Sequence, residues 1–322
     1  MIAAVVSALG QSPTLAEFPI PTPGPGERLI RVSAAAISHL TKAQASGSHF
    51  TADTKFPHGV GMDGVGRLDD GSLVYFAMPR APHGSMAEHT VVDTRLCVPV
   101  PDGLDASTAA AIANPGMSSW VALTERARLK VGETVLINGA TGTSGRLAVK
   151  IARLLGARRV VATGRNARAL AELTSLGADV TIRLDGNIDD LQRRFIEEFA
   201  EGVDVVLDYL WGQSAENLLI AAARVCRDAV PIRFVQIGSI SAADITLPGG
   251  LLRASAIEIT GSGGGSVALP RLIAATEEVL RAAASGSLTM TFKPAPFCRF
   301  DEAWPLDNGT CRTVFTMNSV GA

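Results

Sequence analysis

Between Glu133 and Gly145 the chain reads Glu-Thr-Val-Leu-Ile-Asn-Gly-Ala-Thr-Gly-Thr-Ser-Gly. This is an apolar strand, a turn with glycines at 139, 142 and 145, and a helix expected to begin near Ser144. Glycines at such a turn let the main chain approach a pyrophosphate, and the helix behind them directs free N–H groups and its positive dipole end at that charge. A second strand, Val160-Val-Ala-Thr163, ends in Gly164-Arg165-Asn166. An acid at that tip would hold a ribose 2′-hydroxyl; here Gly164 leaves room and Arg165 offers a guanidinium to a phosphate. The two segments predict a dinucleotide site of the 2′-phosphorylated kind, for NADP(H).

Gly139-x-x-Gly142-x-x-Gly145 is not the strict GxGxxG pattern, and a glycine turn between strand and helix also serves close packing alone. Its position after the first strand of an alternating pattern, with Arg165 in register, favours the dinucleotide reading. A solvated loop residue is the plain alternative for Arg165. One competing mechanism uses a Tyr with Lys four residues later; Tyr75 and Tyr209 are followed at that spacing by Pro79 and Gln213, which excludes it.

The elements that must position these residues fall into two rhythms. Up to about residue 117, short β-like runs (Leu29 to Ser33, Gly64 to Leu68, Ser72 to Phe76, His89 to Val92) are broken by turns such as Pro21-Thr-Pro-Gly-Pro-Gly26, the pattern of a small barrel or sandwich. After Trp120, strand and helix alternate. Strands are expected at 135–137, 160–163, 180–182, 203–207, 234–237 and 257–260, with helices at 146–155, 167–176, 188–199, 215–225 and 269–284. Such alternation implies an α/β fold, a parallel sheet covered on both faces with ligands at the strands' carboxyl ends. The tail returns to β-like pieces, Leu288 to Phe292 and Thr313 to Thr316, so the nucleotide-binding segment reads as an insertion into a β-rich domain.

Three further motifs, Gly61-Met-Asp-Gly-Val-Gly66, Asn114-Pro-Gly-Met-Ser-Ser-Trp120 and Asp301-Glu-Ala-Trp304, join the nucleotide segment in a resemblance that covers nearly the whole chain. The sequence resembles the medium-chain dehydrogenase/reductase superfamily, in its zinc-free quinone oxidoreductase-like branch. The resemblance implies a GroES-like catalytic domain (1–118, resumed at 263–322) around a Rossmann NADP-binding domain (119–262). It also implies a homodimer formed through the nucleotide-binding domains near Leu247 to Thr260. By the same resemblance, Gly142, Thr143, Ser144 and Gly145 meet the pyrophosphate, and Thr163, Gly164, Arg165 and Asn166 surround the ribose phosphate. Ile237, Gly238 and Ser239, then Ser262 and Gly263, border the nicotinamide. Met117 and Ser118 open the helix beneath it, and Asn318 reaches it from the C-terminus.

Zinc-dependent relatives place a Cys where this chain has Ser38 and a His where it has Met62, neither a zinc ligand at such a site. The five histidines show no HxxxH spacing, and Cys97, Cys226, Cys298 and Cys311 form neither a CxxC nor a disulfide framework. A metal-free site is expected. Without a Lewis acid, alcohol oxidation is hard, whereas a quinone or enone accepts hydride at carbon and spreads charge onto a conjugated oxygen. The expected activity is NADPH-dependent reduction of quinones or α,β-unsaturated carbonyls. Ser38 and His39 are the candidate proton donors, because their loop faces the nicotinamide in the family; a Ser and a His in an Ala-rich loop equally suit packing or surface. Tyr75 reads as core. An enoyl-thioester reductase acting in trans, or a non-catalytic NADPH-binding sensor, stays open as an alternative.

Composition limits the partners. Hydrophobic residues make up 47% of the 322, charged residues 19%, and the formal net charge is −2, which favours a sizeable core and gives no reason to expect nucleic acid or an anionic membrane. The start, Met1-Ile-Ala-Ala-Val-Val6, lacks the basic opening of a signal peptide and reads as a strand. A soluble cytoplasmic protein acting on a small molecule is the expectation.

Overall fold

The computed structural model describes residues 1–48, 55–307 and 311–317. The chain forms two compact units, one of residues 1–114 and 276–322, the other of residues 115–275. The first unit opens with β1 (Ile2–Val6), β2 (Thr14–Glu17), β3 (Glu27–Ala36), α1 (His39–Ala45), β4 (His58–Gly59), β5 (Asp63–Arg67), β6 (Leu73–Ala77), β7 (His89–Asp93) and β8 (Cys97–Pro99). Alternation along β3 sends Ile30 and Val32 into a core with Val74, Phe76 and Val92, and leaves Leu29 and Arg31 on the opposite face.

Helix α2 (Ala106–Val121) starts eight residues earlier than the Asn114-Pro-Gly motif suggests. Asp105 caps it, its carboxylate accepting from the Thr108 N–H (2.9 Å) and hydroxyl (2.6 Å). Pro115 therefore lies inside a helix rather than at its first position, and Met117 and Ser118 belong to its last turns rather than opening it. Pro115 is a helix-interior proline, which gives up one main-chain hydrogen bond, and sequence pattern mistakes it for a start signal.

The second unit then alternates: β9 (Thr134–Asn138), α3 (Thr143–Leu154), β10 (Arg159–Gly164), α4 (Ala167–Ser175), β11 (Val180–Arg183), α5 (Ile188–Glu201), β12 (Val205–Asp208), α6 (Gly212–Val225), β13 (Ile232–Gln236), α7 (Gly249–Arg253), β14 (Ile257–Gly261) and α8 (Leu269–Ala284). Among the described residues these strands form one parallel sheet in the order β11-β10-β9-β12-β13-β14. Its strands read as continuous apolar runs because helices cover both faces; Val135, Leu136, Ile137, Val160, Val161, Val205 and Val206 are fully buried. Strand order reverses between β9 and β12, the point at which open α/β sheets hold their ligands.

The tail returns to the first unit through β15 (Lys293–Pro296), α9 (Phe300–Leu306) and β16 (Thr313–Thr316). Strand β16 pairs antiparallel with β3, Phe315 opposite Ala35, in a sheet ordered β15-β16-β3-β5-β6-β8 with β7 also on β3; β2, β1 and β4 form a smaller sheet. Phe300 stacks on Trp304 at 5.2 Å and meets Phe315 at 5.0 Å, so the tail supplies much of this unit's aromatic core. The segment Leu288 to Phe292 is not a strand, contrary to its pattern. The strand is the next segment, Lys-Pro-Ala-Pro, which the prolines disguise; it lies at the sheet's end, where a missing N–H leaves no ladder bond unmade.

Candidate dinucleotide site

The glycine turn is fixed from beneath by a buried polar network at the carboxyl ends of β9, β10 and β12. The Asn138 amide donates to Asp208 Oδ1 (2.8 Å) and to the Ser214 hydroxyl (2.9 Å). Thr163 Oγ1 donates to Asn138 Oδ1 (2.7 Å) and accepts the Gly139 N–H (3.1 Å), while the Ala140 N–H reaches the Thr163 carbonyl (2.8 Å). Asp208 also accepts from the N–H groups of Leu210 (3.0 Å) and Trp211 (3.1 Å). It thereby holds Trp211 at φ 60°, a left-handed conformation costly for a large side chain, and starts α6 there. Burial raises the Asp208 pKa above the ordinary carboxylate range, opposed by those donors.

Above this network the glycines differ in what they do. Gly145 is demanded by packing, since a Cβ there would lie 2.5 Å from the Gly139 carbonyl oxygen and 2.6 Å from Ala140 Cα. Gly142 is different. Its φ of −77° suits any residue, and a Cβ would meet only the Gly139 oxygen at 4.0 Å. What its missing side chain leaves is open space directly before the first turn of α3. The ladder of that helix begins with the Arg146 N–H on the Gly142 carbonyl (2.9 Å), so the N–H groups of Thr143, Ser144 and Gly145 precede it and are available. A room of this kind, with main-chain donors at a helix N-terminus, fits a pyrophosphate. Arg146 braces the turn from the helix side, its Nε on the Thr141 carbonyl (3.2 Å) and its Nη2 on Glu172 (2.8 Å).

At the tip of β10, Gly164 is again a packing requirement, because a Cβ would lie 2.5 Å from Thr141 Cγ2. Arg165 is exposed and makes no ion pair among the described residues, whereas neighbouring Arg183 is engaged by Asp185 at 2.7 Å. The other two expected contacts are otherwise employed. Thr163 is fully buried in the network below the turn, and Asn166 caps α4 by accepting the Ala169 N–H (3.0 Å). Thr163 therefore braces the turn from beneath, while the cap engages only the Oδ1 of the exposed Asn166.

Ile237 and Gly238 follow β13, their N–H groups on the Asp208 carbonyl (2.7 and 3.2 Å), and Ser239 is exposed. Ser262 follows β14, its N–H on the Gln236 carbonyl (2.8 Å), and the Gly263 N–H donates to Ser266 Oγ (2.8 Å). Arg126 reaches this glycine loop from the π-helical turn Ala122–Arg126 that ends α2, donating to the Gly261 carbonyl (2.7 Å). Met117 and Ser118 are half-buried, and next to them lies a residue that motif reading missed. Ser119 Oγ is 2.8 Å from the Tyr209 hydroxyl and within reach of the Pro115 and Ser144 carbonyls (3.0 and 3.1 Å). It ties α2 to the first turn of α3 and the end of β12. Burial pushes the Tyr209 hydroxyl well above its ordinary value. Asn138, Asp208 and Ser119 gave no signal because each acts through partners 25 to 90 residues away. Asn318 lies outside the described residues.

In the first unit, Ser38 caps α1, accepting the Thr41 N–H (3.0 Å), and His39 is the exposed first residue of that helix. Asp63 is buried, taking the Tyr75 hydroxyl (3.2 Å) and the Asn114 amide (3.3 Å), with Arg312 at 3.9 Å. Burial raises Asp63, against the pull of Arg312. Met62 is half-buried just before β5, and among the described residues no group of three or more His, Cys, Asp or Glu side chains is placed to hold a metal ion.

A family profile described as zinc-binding dehydrogenase matches residues 145–284, less than half of the chain. The chain is 29% identical to a protein named "Probable NADPH-dependent quinone reductase tdiC" from Emericella nidulans, over 91% of this chain and 92% of that one. It is 30% identical to a mycocerosic acid synthase-like polyketide synthase of Mycobacterium tuberculosis over 71% of this chain, which spans 11% of that much longer protein. Among solved structures, the quinone oxidoreductase of Thermus thermophilus, determined also with NADPH, superposes with a TM-score of 0.77 at 27% identity, covering 98% of this chain and all of that one.

Proposed function

The chain belongs to the medium-chain dehydrogenase/reductase superfamily, in its quinone oxidoreductase-like branch, and we propose that it reduces quinones or α,β-unsaturated carbonyls with NADPH and without zinc. It is an NADPH-dependent oxidoreductase with a GroES-like and a Rossmann domain; substrate class and metal independence are the proposal. The observation that carries it is the pairing of an open, donor-lined turn at Gly142 to Gly145 with the exposed guanidinium of Arg165.

In this reading the N–H groups of Thr143, Ser144 and Gly145 hold the pyrophosphate, Arg165 takes the 2′-phosphate, and Gly164 keeps the strand tip clear. Ile237, Gly238, Ser239, Ser262, Gly263, Met117 and Ser118 border the nicotinamide, with Asn318 as a further contact from the C-terminus. When bound, the reduced coenzyme supplies a hydride to the acceptor carbon. The chain's own contribution is to fix the turn through Asn138, Thr163 and Asp208 and to present a donor for the developing oxygen charge. His39 is the candidate donor, and Ser38 holds the helix start that presents it; solvent delivers the proton where neither is in reach. Ser38 and Met62 in place of a thiolate and an imidazole support chemistry without a Lewis acid.

The test is NADPH consumption with 9,10-phenanthrenequinone, 1,4-benzoquinone and small enones, in the presence of EDTA. Turnover unaffected by the chelator is expected. Activity lost to EDTA and restored by zinc overturns the metal-free reading, and NADPH binding without turnover on any acceptor favours a sensor. The similarity to a segment of a polyketide synthase supports a second reading, reduction of an enoyl thioester. Faster turnover with crotonyl thioesters than with any quinone would select it. The protein is further proposed to work as a homodimer through its nucleotide-binding units. Among the described residues no helix is long and apolar enough to cross a membrane.

A further inference from the structure

The first unit carries a row of basic side chains that the reductase reading does not use. In the antiparallel register, Arg31 of β3 lies directly opposite Arg67 of β5 on one side and opposite His89 of β7 on the other. Directly opposed residues share a face, with Cβ atoms about 5 Å apart, and like charges so placed are destabilising. Among the described residues no acid is ion-paired with Arg31 or Arg67. Asp70 is engaged by Ser72 (2.9 Å to its N–H), Glu88 by the Ile2 N–H (2.8 Å) and Asp93 by Arg95 (2.6 Å). Asp69 is near, but no ion pair joins it to either arginine among the described residues. Arg67 Nη1 is anchored on the Gly71 carbonyl (2.7 Å), and the residue is exposed.

The row lies in a hollow of about 290 Å³ lined by Leu29, Arg31, Arg67, Leu68, Asp69, Gly71 and His89. His89 lines it half-buried, and among the described residues its Nδ1 makes no hydrogen bond, an unsatisfied polar group that needs an explanation. We propose that this hollow binds a phosphate monoester. The guanidinium forks of Arg31 and Arg67 grip two of its oxygens, and the His89 ring donates to a third. A planar, bidentate fork suits phosphate geometry, and a dianion relieves the repulsion between the opposed cations. The site lies wholly in the first unit and does not depend on the dinucleotide reading.

The test uses full-length protein free of coenzyme, titrated with inorganic phosphate and, separately, with adenosine 3′,5′-bisphosphate, the phosphorylated end of coenzyme A. Chloride at equal ionic strength is the control. The His89 imidazole nitrogens, followed by NMR, should shift saturably, and the melting temperature should rise. Both effects should persist in Arg165→Ala, which removes the 2′-phosphate contact proposed for the second unit, and the His89 shift distinguishes this hollow from the turn at Gly142 to Gly145. In the Arg31→Gln/Arg67→Gln variant, checked for cooperative unfolding, phosphate binding should weaken at least tenfold. Tighter binding of the bisphosphate would point to a nucleotide-bearing ligand, and equal binding to free phosphate. An unmoved His89, or a double variant that binds as tightly as the parent, overturns the proposal.

Discussion

Arg165 and Gly142 do opposite things to the same site. One supplies a charge and the other supplies nothing, and neither is needed by the protein's own packing: Arg165 is exposed, and a Cβ at Gly142 would meet only one oxygen at 4.0 Å. Gly145 and Gly164 differ, since a side chain at either would strike its neighbours at 2.5 Å. Arg165→Ala should therefore leave folding intact and remove the preference for NADPH over NADH. Loss of a charge-assisted contact costs about 1.5 to 3 kcal/mol, toward the lower end for an exposed group, or roughly one to two orders of magnitude in the ratio of dissociation constants. Isothermal calorimetry with both coenzymes measures it. An unchanged ratio would remove Arg165 from the site. The three glycines and the arginine were legible in the sequence because each stands within a few residues of a strand end.

At the level of elements, strand ends hold the turn, and Asp208 at the end of β12 couples that turn to pH. Burial raises its pKa above the ordinary carboxylate value. Between that ordinary value and the raised one, the native state holds more protons than the unfolded chain, so stability is greatest below the window and falls as pH rises through it. Asp208→Asn keeps an oxygen for the Asn138 amide and the Leu210 N–H and has no charge to bury. Urea midpoints measured from acid to neutral pH should fall in the parent relative to the variant through this window. Identical profiles would mean that Asp208 does not titrate there. Helix α2 and strand β15 illustrate where sequence pattern fails. Pro115 reads as a helix start yet lies inside one, and Pro294 and Pro296 read as breakers yet form an edge strand, since which main-chain N–H groups need partners depends on neighbours distant in sequence.

For the whole molecule, the proposed homodimer puts the test at the edge of β14. Among the described residues β14 pairs with β13 on one side only, and an unpaired strand edge in a sheet is a ready template for a second chain. The Ser262 N–H points to β13, so by alternation the Ile259 N–H faces outward. Light scattering should find a dimer, and Ile259→Pro should shift it toward monomer while unfolding stays cooperative. A variant that remains dimeric would place the interface elsewhere.

Local patterns alone determined the α/β class, the glycine turn, the arginine at the second strand's tip and the alternation that makes a parallel sheet, because each is written in residues adjacent along one element. Tertiary structure alone decided that Thr163 braces the glycine turn, that Asn166 and Ser38 cap helices, and that Asn138, Asp208 and Ser119 join distant segments beneath that turn. It also set Arg31 between Arg67 and His89. Those roles arise from hydrogen bonds and strand registers joining residues far apart in the chain, and a side chain's partners exist only once the backbone has brought them within about 3 Å of each other.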